Sequence, residues 1–150
     1  MPDLPGAGLR VLVVDDDAPI RHLLTAVLEL DGWEVMEAED GEQALALAAA
    51  ERPHAVVLDV MMPGKDGFEV LAELRATEHG RQMAVVMLTA KTRQADILRG
   101  TRLGADIYLT KPFDPEHVAK HLVFHALRRS PGARTAGTDP DGPASRRSRT

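Results

Sequence analysis

The chain has 150 residues and no cysteine, which excludes disulfides, zinc–thiolate sites and thiol nucleophiles. It is 44% hydrophobic but only 3% aromatic, so there is material for one core and that core must be aliphatic. The net charge of −5 argues against a nucleic-acid-binding body, and the opening MPDLPGAGLR has neither the basic nor the apolar stretch of a signal peptide.

Leu9–Val14 (LRVLVV) is a continuous apolar run, the mark of a strand buried on both faces. A helix follows, with Asp17 as N-cap, Pro19 in its first turn, and Ile20, Leu23, Leu24, Val27 and Leu28 at helical spacing. Gly32 is placed to end it. Trp33–Ala38 (WEVMEA) alternates and predicts a strand nearer the sheet edge. Asp40 can cap a helix over Glu42–Glu51. His54–Asp59 (HAVVLD) is a second buried strand that ends on an acid, and Met61–Gly67 (MMPGKDG) is a turn-rich loop.

Phe68–His79 predicts an amphipathic helix, and Met83–Thr89 (MAVVMLT) a third buried strand ending on a hydroxyl. A weaker helix over 93–103 stops at Gly104. Ile107–Thr110 (IYLT) is a short strand followed by Lys111-Pro112, and Pro115–Arg129 is the last helix. Five strands alternating with five helices require right-handed crossovers, hence a parallel sheet with helices on both faces. The fold expected is a flavodoxin-like three-layer (βα)5 with strand order 2-1-3-4-5. Residues 1–8 are expected to be a flexible leader and 9–129 the domain. Residues 130–150 hold four Arg against two Asp and are rich in Pro, Gly and Ser; they are expected to be a disordered basic tail or the stump of a linker.

Ligands of such sheets bind outside the carboxyl ends of the strands, near the point where strand order reverses. Those ends carry Asp15, Asp16 and Asp59, with Thr89 and Lys111 on the neighbouring strands. Three adjacent carboxylates repel and would raise at least one pKa. A hard divalent cation removes that cost, and Mg2+ suits carboxylates, waters and a phosphoryl group. One Mg2+ and Lys111 neutralise the three acids. A carboxylate held beside them can attack an incoming phosphoryl group.

At this point VVDDD (13–17), VVLDVMMPGKDG (56–67), VVMLTA (85–90) and GADIYLTKPF (104–113) resemble the four signatures of the CheY-like receiver domain of two-component response regulators. The resemblance covers residues 9–129. It implies that Asp59 is the phosphoacceptor, supplied by a phosphohistidine of a sensor histidine kinase or phosphotransfer protein. It implies that Asp15 and Asp16, with Asp59 and the backbone carbonyl of Met61, hold Mg2+. Lys111 then contacts the phosphoryl oxygens, Thr89 is the hydroxyl that swings toward them, and Tyr108 is the aromatic that changes rotamer with it. Ala90 is small enough to permit the movement, and Lys111–Pro112 is expected to be cis. The implied readout surface is the fourth helix, fifth strand and fifth helix. Such a protein catalyses its own phosphotransfer and slow dephosphorylation but is mainly a switch. A cytoplasmic location, with no membrane contact and no nucleic-acid contact by the receiver, is expected; a homodimer stays open. Members that dimerise through that face usually read GADDY, whereas position 107 here is Ile.

Blander roles compete for several residues. Asp17 and Asp66 are most simply helix caps, and Tyr108 alone would be strand packing. His117, His121 and His125 recur every four residues on the last helix, a spacing that suits a metal. Because Val118, Ala119, Leu122, Val123 and Ala126 define the core face, the three His are expected at its rim or outside, facing solvent or a partner. Phe124 lies on the same outer side. Three other readings stay in view. One is the receiver fragment of a longer DNA-binding transcriptional regulator. Another is a Mg2+-dependent aspartyl phosphohydrolase, which would want its nucleophile in a D-x-D on the first strand. The last is a flavin or nucleotide module, whose phosphate three Asp would repel.

Overall fold

The computed structural model describes residues 4–129. The basic tail expected at 130–150 lies outside the described residues. Five strands, β1 (Arg10–Val14), β2 (Glu34–Ala38), β3 (Ala55–Leu58), β4 (Ala84–Thr89) and β5 (Ile107–Thr110), form one parallel sheet in the order β2-β1-β3-β4-β5. The helices are α1 (Ala18–Leu30), α2 (Gly41–Glu51), α3 (Gly67–Arg75), α4 (Gln94–Leu103) and α5 (Pro115–Arg129), with a separate helical turn at Glu78–Arg81. This is the architecture that the alternation of apolar runs and helical segments predicts.

Burial explains the continuous apolar runs. Alternate strand side chains point to opposite faces, and here both faces are covered. Val11, Val13, Val57, Val86 and Leu88 pack with Leu24 and Leu28 of α1 and with Val118 and Leu122 of α5. Leu12, Val14, Val56, Leu58, Val85 and Met87 pack on the other side with Ala44 and Ala48 of α2 and Phe68, Leu71 and Leu74 of α3. The edge strand β2 is only partly buried, as its alternation implies.

The helix caps anticipated at Asp17, Asp40 and Asp66 are present, each side chain accepting from a backbone N–H of the first turn. Asp66 and Glu69 complete a reciprocal capping box.

Three expectations are corrected. The predicted helix Phe68–His79 ends at Arg75, because Thr77 accepts from the N–H of Gly80 and starts a new turn. Residues 4–8 are not a free leader. Gly6 donates to the carbonyl of Asp31 at 2.7 Å and lies so close to the Trp33 ring that a Cβ would sit 2.3 Å from it. Nor do all three His of the last helix lie at the rim. His121 is buried, because the rings of His117 and His125, one turn to either side, lie against it.

Candidate functional site

The C-terminal ends of β1 and β3 form the floor of the site. Val14 pairs with Leu58, so the next residues, Asp15 and Asp59, leave the sheet side by side. Both are buried, whereas Asp16 is exposed. One carboxylate oxygen from each of Asp15, Asp16 and Asp59 lies within 4.8 Å of the others, the one acidic or histidine cluster among the described residues with the spacing of a metal site. The His stripe of α5 does not form such a cluster.

Lys111, just past β5, reaches across the sheet to close the group. Its Nζ lies 2.8 Å from Asp15 Oδ2 and 3.3 Å from Asp59 Oδ2. The remaining carboxylate oxygens take backbone donors, Asp17 N–H on Asp15 at 2.9 Å and Met61 N–H on Asp59 at 3.3 Å. The Lys111–Pro112 peptide is cis, as expected.

The electrostatics follow from burial and crowding. Asp59 has a raised pKa, chiefly through desolvation and then through the charge of Asp15; Lys111, the Thr89 hydroxyl and the Met61 N–H act in the opposite direction. Burial alone would lower the pKa of Lys111, but its bonds and charge interactions with Asp15 and Asp59 leave it raised. The ammonium therefore stays charged, and three acids facing one cation leave an excess of negative charge. That donor set fits a hard divalent cation with oxygen ligands.

Thr89 is fully buried at the end of β4, and its Oγ1 accepts from the N–H of Lys91 at 3.3 Å. Tyr108 packs beneath α4 and donates to the carbonyl of Lys91 at 2.9 Å. Burial, then Asp96 and Asp59, push its phenol up to about 12. Ala90 and Met61 are exposed at the mouth. The acids, Met61, Thr89, Ala90 and Lys111 thus lie at one end of the sheet, with the Tyr108 hydroxyl reaching the Lys91 loop there, whereas the His stripe and Phe124 lie on α5.

Several supporting residues are given no role at the site by the sequence, although Gly67 and Asp106 lie within the quoted motifs. Gly67 opens α3 directly behind the site, where a Cβ would stand 2.2 Å from the Asp59 carbonyl oxygen. Arg21 of α1 donates to the Asp15 carbonyl oxygen at 2.7 Å. At the opposite end of the sheet, Asp106 accepts from Arg75, Arg129 and the N–H of Val85. An acid just before β5, with a basic last turn on α5, was the available hint for that network.

Comparison with known proteins points to one family. A family model described as the response regulator receiver domain matches residues 11–123. The chain is 38% identical over 125 residues to the phosphate regulon transcriptional regulatory protein PhoB of Pseudomonas aeruginosa, covering 83% of this chain and 55% of that protein. It is 46% identical over 121 residues to the alkaline phosphatase synthesis transcriptional regulatory protein PhoP of Bacillus subtilis, covering 81% and 49%. The chain thus spans about half the length of these relatives. Among solved structures, the Francisella response regulator 1452 receiver domain matches with a TM-score of 0.75 and 32% identity, covering 80% of this chain and 98% of that one. The Vibrio cholerae chemotaxis protein CheY4 matches with a TM-score of 0.72 and 37% identity, covering 76% and 95%.

Proposed function

The chain belongs to the response regulator receiver family, and from that premise we propose that it takes a phosphoryl group onto Asp59 from a phosphohistidine of a sensor histidine kinase or phosphotransfer protein. The observation that carries this reading is Lys111, whose ammonium bridges Asp15 and Asp59 at 2.8 and 3.3 Å. A lysine so placed keeps one carboxylate ionised and faces the oxygens of anything that carboxylate attacks.

Asp59 attacks phosphorus in line. The new Oδ–P bond forms as the P–N bond breaks, and its electron pair returns to the donor imidazole. Asp15, Asp16, Asp59 and the Met61 carbonyl would hold Mg2+, which when bound offsets the carboxylate charge and the charge on the transferring oxygens. Lys111 contributes a second positive charge there. The buried floor of Val14 and Leu58 keeps water from the back of the nucleophile.

Thr89 and Tyr108 are proposed to report the event. A phosphoryl group on Asp59 offers the Thr89 hydroxyl an acceptor, and the Lys91 loop and Tyr108 follow because Tyr108 is bonded to that loop. The change then reaches α4, β5 and α5, the surface for a downstream partner. Among the described residues no helix is long and apolar enough to cross a membrane.

The test is incubation with acetyl phosphate and Mg2+, followed by intact mass and NMR shifts. The wild-type chain gains one phosphoryl group and Asp59→Asn does not. A wild type that stays unmodified, or a variant modified equally, overturns the reading. A second reading concerns the whole protein. The relatives named as transcriptional regulatory proteins are about twice as long as the matched region, which favours this receiver's working as the input half of a longer DNA-binding regulator.

A further inference from the structure

We propose that Arg21 is a positioning residue for the acid pair, holding the Asp15–Asp16 peptide so that Asp16 is aimed at the cation. The inference rests on the reading of Asp15 and Asp16 as Mg2+ ligands and goes beyond it, to a residue outside the acid cluster.

Arg21 sits in the first turn of α1, where a long basic side chain would ordinarily extend into water. Instead its side chain is 14% exposed and folds back over the end of β1. One arm of the guanidinium donates to the Asp15 carbonyl oxygen at 2.7 Å. Its Nε donates to Glu37 Oε1 on β2 at 2.8 Å. Glu37 is held in turn by the Thr25 hydroxyl, which donates to Oε2 at 2.9 Å. The planar fork therefore spans two acceptors that are themselves fixed, a task a point charge performs poorly.

The Asp15 carbonyl belongs to the peptide linking Asp15 to Asp16, so the bond from Arg21 sets the plane of that peptide. Asp15 has anchors of its own: its N–H on Ala38, its Oδ1 on the Asp17 N–H and its Oδ2 on Lys111. Asp16 has none of these. It is exposed, and among the described residues its side chain makes no hydrogen bond. What brings its carboxylate within 4.8 Å of the other two is therefore the backbone that Arg21 holds.

A simple staple between α1 and β2 would use the Arg21–Glu37 pair for stability alone. The two roles separate by measurement. Mg2+ alone, without a phosphodonor, is titrated into the full chain by calorimetry while the Asp16 amide resonance is followed. Groups that orient metal ligands typically change affinity by about 10–100-fold when removed. Arg21→Met is expected to weaken Mg2+ binding by about tenfold and to shift the Asp16 amide, with Arg21→Lys intermediate. Glu37→Gln, which removes the charge pair but leaves an acceptor for Arg21, is expected to stay closer to wild type.

Wild-type Mg2+ affinity and an unmoved Asp16 amide in Arg21→Met overturn the proposal, whatever the thermal midpoint does. If that variant does not fold, Arg21→Lys decides by the same two readouts. A wild-type chain that does not bind Mg2+, or an Asp16→Asn variant that binds it unchanged, overturns the reading of the acid pair itself.

Discussion

Tyr108 is tied through its hydroxyl to the carbonyl of Lys91, so the ring of β5 and the loop leaving β4 move as one unit. The ring lies close against Gly100 of α4. A Cβ on Gly100 would lie 3.0 Å from Tyr108 Cδ2 and 3.2 Å from Cε2.

Gly100→Ala is therefore expected to push the ring by a few tenths of an ångström and to weaken the bond to Lys91. Alanine in a helix interior gains about 1 kcal/mol over glycine, so the fold need not suffer. The phenol reports the change. Its titration midpoint, about 12 with the ring seated beneath α4, falls toward 10.0 in the variant, read from tyrosinate absorbance at this single tyrosine.

Burial and Asp15 raise the pKa of Asp59, and this fixes the sign of a pH effect. The folded state binds the proton more tightly than the unfolded one. The stability from this group is present below 3.8 and is lost as pH rises through the elevated folded value. At neutral pH the charged carboxylate opposes folding, so Asp59→Asn should raise the thermal midpoint by about 2–5 °C. Adding Mg2+ should narrow that gap, because it stabilises the wild type more than the variant.

Behind the same acid, Gly67→Ala places a methyl group 2.2 Å from the Asp59 carbonyl oxygen and 2.7 Å from Val60 Cα. Backbone on both sides cannot yield as a flexible side chain would. A loss of about 1–3 kcal/mol in urea unfolding is expected. Slower phosphorylation by acetyl phosphate should accompany it, since β3 must shift away from Lys111.

Asp106 is one-tenth exposed and is shared between two guanidiniums, Arg75 at 3.1 Å and Arg129 at 2.9 Å. Burial, and then the charge of Arg129, already lower the pKa of Arg75. Asp106→Ala leaves both cations together without their carboxylate and orphans the Val85 N–H, a loss of about 3 kcal/mol. Hydrogen exchange should show the end of α5 opening first, because Arg129 anchors it.

His54 accepts from the N–H of Arg10 through Nδ1 at 3.0 Å, a bond that its protonated ring cannot make. Burial first, and then Arg10, hold its pKa below 6.5. Between that lowered value and 6.5 the unfolded chain binds the proton and the folded one does not. Stability should fall as pH drops through this window and level off below it. His54→Asn, whose Oδ1 can accept the same bond, should flatten that slope in thermal unfolding.

The features legible in the sequence were those set by local pattern. Continuous apolar runs gave the buried strands, Asp17, Asp40 and Asp66 gave helix starts, and the strand ends gave the acids, Thr89 and Lys111. What escaped was set by neighbours remote in the chain. The end of α3 depends on Thr77's preferring to start its own turn. The burial of His121 depends on rings one turn away, which core-face counting treats as outward. Arg21 and Asp106 look like ordinary surface charges until the carbonyl of Asp15 and the guanidinium of Arg129 are placed beside them.

The pairing of Val14 with Leu58 has one more consequence. In a sheet, a slip by one residue turns every side chain to the opposite face. Here both faces are buried, so such a slip would carry Val11 and Val13 from the α1 and α5 side to the α2 and α3 side, spoil the packing of both layers, and at the same time part Asp15 from Asp59. The aliphatic core is thus the alignment jig for the reactive acids. A register error that would spoil the chemistry is therefore also one that the packing of both layers penalises.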